Sequence, residues 1–199
     1  GAFMTGDDLA ADMAQSGLET GTFLEDYMNV IFNDTDVKDL IGGQVAPKVF
    51  LDPAAGTPNP VFTSVTSWVA YGGCPVINIQ DAVTATDGPG AGAGLRLASF
   101  AAPGVSGPGP YPYSAATLAS GIGTQTTSEL ISMPYDFMFI YTDPTGVPKA
   151  DARLSARTRV LKDVLAYFGV GPNPGDVSAV PGALSLEHSN FPNPFNPKT

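Results

Sequence analysis

Residues 1–8 read Gly1-Ala2-Phe3-Met4-Thr5-Gly6-Asp7-Asp8. A short apolar run that ends in a Gly-Asp loop is typical of a buried strand in a parallel sheet, with carboxylates at its carboxyl end. Ligands bind at that edge in open α/β sheets, so Asp7 and Asp8 are candidate ligand-binding residues. The simpler interpretation is that one of these two carboxylates caps a helix over residues 9–15.

A second strand–helix pair is predicted near residue 170. Residues 136–141, Asp-Phe-Met-Phe-Ile-Tyr, form the most apolar short run, and a helix over residues 153–168 follows. Gly169 occupies the position of a C-cap glycine. The apolar stripe of this helix is predicted to consist of four residues: Leu154, Leu161, Leu165 and Phe168. Two such pairs indicate a parallel sheet flanked by helices.

The stretch between residues 40 and 135 has a different sequence pattern, in which short β-type runs are separated by Gly and Pro. The predicted strands cover residues 44–51, 61–65, 74–79, 95–100, 115–120 and 128–133. Such spacing is typical of hairpins. The predicted fold class is therefore α/β, a parallel sheet flanked by helices with a Gly/Pro-rich β-hairpin insertion. The alternative is that this middle stretch forms a separate β domain.

Composition limits the functions that the chain can have. Its 199 residues suit one domain with a tail, and nine basic against nineteen acidic residues give a net charge of −10. This balance argues against nucleic acid or an anionic membrane as partner. No apolar run is long enough for a membrane-spanning helix. The start at Gly1 is not a signal peptide, which predicts a piece trimmed from a longer exported protein.

Acidic residues are also concentrated in residues 33–39, Asn-Asp-Thr-Asp-Val-Lys-Asp. Asp34 and Asp36 alternate along the chain, a pattern that can gather oxygen ligands around calcium. The segment lacks the glycine and the distal glutamate of an EF-hand loop, and a solvated turn is the simpler interpretation. The candidate metal ligands are thus Asp7, Asp8, Asp34 and Asp36. Calcium is the one cofactor that the sequence suggests.

The end of the chain carries a distinctive extended motif. Three prolines exclude a helix there, because proline lacks the amide donor and biases its predecessor toward extended backbone. The motif consists of Asn190, Phe191, Pro192, Asn193, Pro194, Phe195, Asn196 and Pro197. Together with residues 184–189 it resembles the opening of the carboxy-terminal immunoglobulin-like sorting module (FlgD-like, type IX secretion) of bacterial secreted and surface proteins. The resemblance implies a body over 1–170, a linker over 171–185 and the first strand of that module over 186–199.

The body carries a second resemblance, spread over residues 1–170. Residues 1–8, 23–28, 72–75 and 164–169 are together similar to the carboxy-terminal half of the amidotransferase-like, flavodoxin-like domains of secreted bacterial proteins. Catalytic relatives are implied to pair a cysteine at a strand-to-helix elbow with a histidine. Here Cys74 precedes Pro75 without an elbow pattern, and the only histidine is His188 in the tail. The sequence therefore predicts a domain that is not an enzyme.

Three functions are consistent with these observations. The first is a non-catalytic binding or structural domain of a secreted or cell-surface bacterial protein, with the secretion or surface-anchoring machinery as partner. The second is a self-assembling extracellular filament or surface-layer subunit, in which the tail adds to the sheet edge of another copy. The third is a fragment of a secreted, peptidase-like hydrolase whose remaining catalytic groups lie on another segment. The first is the favoured prediction.

Overall fold

The computed structural model describes residues 1–15, 20–43, 46–71, 79–87, 93–101, 105, 107–109, 111–121, 127–142 and 155–170, without the side chains of 20–22. Nine strands occur among these residues: β1 (Ala2–Thr5), β2 (Val30–Asp34), β3 (Lys48–Leu51), β4 (Ser67–Ala70), β5 (Ala82–Ala85), β6 (Ala93–Phe100), β7 (Ser114–Ser120), β8 (Glu129–Met133) and β9 (Ile140–Tyr141). Four α-helices accompany them: α1 (Leu9–Gln15), α2 (Thr20–Asp26), α3 (Val37–Leu40) and α4 (Ala156–Tyr167). Short 3-10 helices cover Pro53–Ala55 and Phe137–Phe139.

Seven strands form one curled sheet in the order β1-β8-β7-β6-β3-β4-β9, and β2 pairs with β5 in a separate two-stranded sheet. Only the β1–β8 pair is parallel, with Ala2 opposite Leu130 and Thr5 opposite Met133. The remaining pairs of both sheets are antiparallel. The described part of the chain is therefore a mixed, mostly antiparallel sheet with few helices.

The predicted parallel sheet flanked by helices is wrong, and so is the flavodoxin-like fold that the second resemblance implied. The Gly/Pro-rich stretch is not an insertion, because it supplies β3, β4, β6, β7 and β8, five of the seven strands of the main sheet. Residues 101–113 join β6 to β7, and residues 121–128 join β7 to β8. The second connection, of eight residues, is too short for the crossover of about a dozen residues that parallel neighbours need, whereas the first, of 13 residues, does not decide the strand direction by its length.

The apolar run at residues 136–141 was also misassigned. Asp136 accepts a hydrogen bond from the amide of Met138 (2.7 Å) and begins the 3-10 helix Phe137–Phe139. Only Ile140 and Tyr141 remain as a strand. An Asp side chain that bonds the backbone two residues on favours a turn over an extended chain, which explains the difference.

Two apolar clusters stabilise the fold. The larger lies between the main sheet and α4, and in it the indole of Trp68 donates to the hydroxyl of Tyr135 (2.9 Å). The smaller lies between the two sheets and helices α1 and α2. Its buried members are Ala10, Leu24, Met28, Val30, Val83, Ala119 and Leu130. The core thus continues on both sides of β8, since Ile131 belongs to the larger cluster and Leu130 to the smaller.

Helix α4 buries a different side from the predicted one. Its buried residues are Ala156, Arg159, Val160, Asp163 and Val164. Leu161 is 39% exposed and Leu165 38% exposed. At 3.6 residues per turn, the predicted leucine stripe lies on roughly the opposite side of the helix from the buried set. Leu154 lies outside the described residues.

The end of α4 was predicted correctly. Gly169 has a φ of +70°, and its amide donates to the carbonyl of Ala166 (3.0 Å). The amide of Val170 donates to the carbonyl of Leu165 (2.7 Å). These two bonds define a Schellman motif, whose left-handed position favours glycine.

Candidate functional site

The carboxyl end of β1 holds a group of acidic residues that includes a fully buried one. After Thr5 the chain turns through Gly6, Asp7 and Asp8, with Asp8 at a φ of +56°, and enters α1. The amides of Ala10 and Ala11 donate to Oδ2 of Asp81, at 2.8 Å and 3.3 Å. Helix α1 is therefore capped by Asp81, a residue 71 positions away. The helix also follows Asp7 and Asp8, the two carboxylates from which the sequence predicted its cap.

Asp81 joins three elements at this point. It directly precedes β5, its amide donates to the carbonyl of Pro134 just after β8 (2.9 Å), and its carboxylate holds the start of α1. The side chain is 0% exposed, and its Oδ1 atom has no hydrogen-bond partner among the described residues. Burial raises the pKa of the Asp81 carboxyl to about 6, an effect that the bonds from Ala10 and Ala11 oppose and that Asp8 and Asp7 reinforce.

The four predicted metal ligands are only partly brought together. Burial raises the pKa of Asp8, and Asp7, Asp12 and Asp36 add to the increase, so Asp36 lies within electrostatic reach of Asp8. Asp36 also caps α3 through the amide of Lys38 (3.0 Å) and forms an ion pair with that lysine (3.1 Å). In the ranges that the structure covers, no three His, Cys, Asp or Glu side chains are arranged to hold a metal ion.

Asp34 has a local role. Its Oδ1 accepts the amide of Asp36 (3.2 Å) and the hydroxyl of Thr35 (3.4 Å), which is the bonding pattern of a turn. The predicted solvated turn over residues 33–39 is thus limited to Thr35 and Asp36, since β2 ends at Asp34 and α3 begins at Val37. Calcium binding there stays a prediction.

A second candidate region surrounds Pro53, between β3 and β6. A cavity of about 290 Å³ is lined by Asp52, Pro53, Asn59 and Phe62, among others. An adjoining groove of about 530 Å³ extends over Pro53 toward Phe50, Lys48 and Pro108. Both are open and largely apolar, with few polar groups directed at one point.

Buried polar side chains fix the walls of this cavity. Asp52 accepts the amide of Ala54 (2.8 Å) and forms a short ion pair with Arg96. Asn59 accepts the amides of Val61 (3.1 Å) and Phe62 (2.9 Å) through Oδ1. This turn replaces the strand predicted over residues 61–65, because an Asn side chain bonded to following amides favours a turn.

Sequence reasoning missed Asp52, Asn59, Asp81 and Arg96. Asp81 gave the clearest available signal, since it follows the predicted strand 74–79 and precedes the apolar pair Ala82-Val83. An acid between two apolar runs is expected to be buried with a partner or exposed at a turn. Cys74, His188 and the motif Asn190–Pro197 lie outside the described residues, so the structure does not test them.

Comparison with known proteins identifies no relative: no family model, no curated protein and no solved structure matches the chain. Among the helices that the structure describes, none is long and apolar enough to cross a membrane.

The buried carboxylate of Asp81 is expected to make the stability of the fold depend on pH. The folded pKa of Asp81 lies near 6, above the ordinary 3.8, so the folded state binds this proton more tightly than the unfolded state. The contribution of Asp81 to the free energy of unfolding therefore falls by roughly 2 kcal/mol as pH rises from about 4 to above 6. Asp81→Asn is expected to flatten this decrease and to stabilise the fold above pH 7. Urea unfolding measured at half-unit pH steps would show it.

The exposed carboxylate of Asp39 gives the control. Asp39→Asn should keep the slope of stability between pH 4 and 6. If Asp81→Asn retains that slope as fully as Asp39→Asn does, the titration of Asp81 is not its cause.

Proposed function

We propose that the chain is a non-catalytic binding or structural domain of a secreted or cell-surface bacterial protein. The observation that supports this proposal is the outer face of α4, formed by Leu161 and Leu165 on the side away from the core. A helix with apolar residues on two opposite sides buries one side in the core of its own domain and leaves the other side for contact with a partner. Both leucines are nearly two-fifths exposed, so described residues cover this second side only in part.

Two further exposed apolar residues lie near the beginning of α4. Met138 is 58% exposed and Tyr141 is 47% exposed. Arg157, one turn before Leu161, donates to the carbonyl of Met138 and packs over the ring of Tyr141 with 5.8 Å to the centroid. Arg157 thus contacts both Met138 and Tyr141, and it lies one turn before Leu161 on α4. Continuous apolar patches on a domain surface mark sites of protein contact.

Export and anchoring are assigned to residues 190–197. The support is the resemblance of this motif to the opening of a sorting module, and the partner is then the secretion or surface-anchoring machinery. The net charge of −10 disfavours nucleic acid and anionic membranes as partners of the body.

A second candidate function is self-assembly through the tail. The observation that favours it is the outer edge of β1, which no other described strand covers. For the hydrolase alternative, Cys74 and His188 both lie outside the described residues, and nothing in the described part favours it.

The test of the proposed function is photo-crosslinking on intact cells of a bacterium that displays the protein. A photo-reactive phenylalanine derivative replaces Leu161 or, in a second variant, Leu165. The expected result is one discrete adduct of the surface-exposed protein at both positions, because the proposal places a partner protein or domain against this face.

A further inference from the structure

β1 has the composition of an interior strand. Phe3 packs on the larger apolar cluster, where its ring meets Phe137 edge-on (5.9 Å, 89°), while Met4 packs on the smaller cluster. The strand Ala-Phe-Met-Thr contains no charge and no proline. Apolar residues on both faces and parallel pairing with β8 are features of strands with neighbours on both sides.

Nevertheless β1 is an edge of the sheet. Within the described residues, no hydrogen bond reaches Ala2–Thr5 from any element other than β8. The opposite edge offers less to pair with, since β9 has only two residues. Unprotected apolar edges offer a row of free amides and carbonyls to another strand.

The tail has a sequence that can pair on one side only. In an extended chain the backbone groups of alternate residues point to opposite edges. Pro192 and Pro194 lack amide donors and would occupy one edge, while Phe191, Asn193 and Phe195 would keep theirs on the other. Pro197 would fall on that second edge, so one-sided pairing ends before it. The two phenylalanines would also share one face. Such a strand can join a sheet and end it, because proline on the outer edge prevents further pairing.

The chain leaves the body next to β1. Phe168, the residue after α4, has its ring directly against Gly1, the residue before β1. Residues 171–189 then separate the body from the motif, and a segment of that length can span up to about 60 Å. Because the two ends belong to one chain, the local concentration of the motif at β1 is on the order of millimolar.

We propose that residues 190–196 of the same chain add as a strand to the outer edge of β1. The added strand supplies hydrogen bonds from Phe191, Asn193 and Phe195 to β1 and places both aromatic rings on one apolar cluster. Its proline side faces outward and ends the sheet. This pairing is independent of whether the same motif also acts in export.

The experiment is hydrogen exchange measured by mass spectrometry on the full chain and on a chain without residues 186–199. The expected result is that the segment containing Ala2–Thr5 exchanges about tenfold or more faster after truncation, because its outward amides lose their partners. Segments from β6 and β7 should be unchanged. Equal exchange of the β1 segment in both proteins overturns the proposal.

Two proline substitutions form a matched pair. Asn193→Pro removes a donor from the pairing edge, whereas Asn196→Pro adds a proline to the edge that already carries Pro192 and Pro194. The first should expose the β1 segment as fully as truncation, and the second should leave it protected. Equal effects of both substitutions contradict one-sided pairing. Protection that disappears on dilution, together with a native mass above that of one chain, contradicts pairing within the same chain and assigns the strand to a second copy.

Discussion

Replacing Gly94 with alanine is expected to destabilise the protein by roughly 3 kcal/mol, because the new methyl group meets backbone atoms that cannot move independently. A Cβ at this position would overlap the carbonyl oxygen of Thr86 and lie 2.6 Å from that of Asn29 and 3.0 Å from the amide of Thr86. The amide of Thr86 donates to the carbonyl of Asn29 (2.9 Å) at the end of the two-stranded sheet. The methyl group would separate that sheet from β6.

The measurement is urea unfolding of Gly94→Ala against the unsubstituted chain. Gly107→Ala is the control, because a Cβ at Gly107 meets nothing within 4 Å and no left-handed φ constrains the position. It should change the free energy of unfolding by less than about 0.5 kcal/mol. If both alanines have equally small effects, β6 does not approach the β2–β5 sheet as closely as described.

Replacing Asp163 with alanine is expected to cost roughly 3 kcal/mol as well. This carboxylate is 5% exposed and receives four hydrogen bonds from one loop. The amides of Thr63 (3.0 Å) and Ser64 (2.9 Å) donate to Oδ2, and the hydroxyls of Ser64 (2.9 Å) and Thr63 (3.3 Å) complete the set. Alanine would leave both amides without their charged acceptor and release α4 from the loop that lines the Pro53 cavity.

Two comparison variants separate the backbone bonds from the side-chain bonds. Thr63→Ala with Ser64→Ala removes only the hydroxyl donors and should cost about 1 to 2 kcal/mol, since the amide bonds remain. Lys162→Ala, at the exposed neighbour of Asp163, should be nearly neutral. Thermal and urea unfolding of the three variants would rank them. An Asp163→Ala variant as stable as Lys162→Ala would contradict this account.

Asp163 also explains why sequence patterns misplaced the buried side of α4. Leu161, Leu165 and Phe168 form a regular stripe, whereas the observed buried side contains Arg159 and Asp163, which a pattern assigns to solvent. The hydrogen bonds that allow Asp163 to be buried come from residues about 100 positions earlier. Periodicity within one helix contains no information about such partners.

Local signals elsewhere were sufficient. The strand β1 and the Schellman end of α4 depend on residues within a few positions of one another. The relative direction of the strands does not, and a buried apolar strand looks the same in a parallel or an antiparallel pair. This is why residues 128–133, predicted as a hairpin strand, form β8 parallel to β1, while the strands predicted to be parallel in the frame do not pair with each other.

In the candidate site, too, only the residues with a local sequence signal could be predicted. Asp7 and Asp8 could be identified from the Gly-Asp loop, and the structure does place them at the end of β1 beside α1. The residue that caps α1, Asp81, is distant in sequence and became apparent only from the bonds to Ala10 and Ala11. Acidic composition alone did not distinguish this buried carboxylate from the exposed ones.

The central claim is that the outer face of α4 is a contact surface of the displayed protein. Its most direct test compares the photo-crosslinking yield at Leu161 and Leu165 with that at Ala166, an exposed residue well to one side of the same helix. The account predicts one discrete adduct from both leucine positions and little from Ala166. Equal yields at the three positions, or none at either leucine on cells that display the protein, would contradict it.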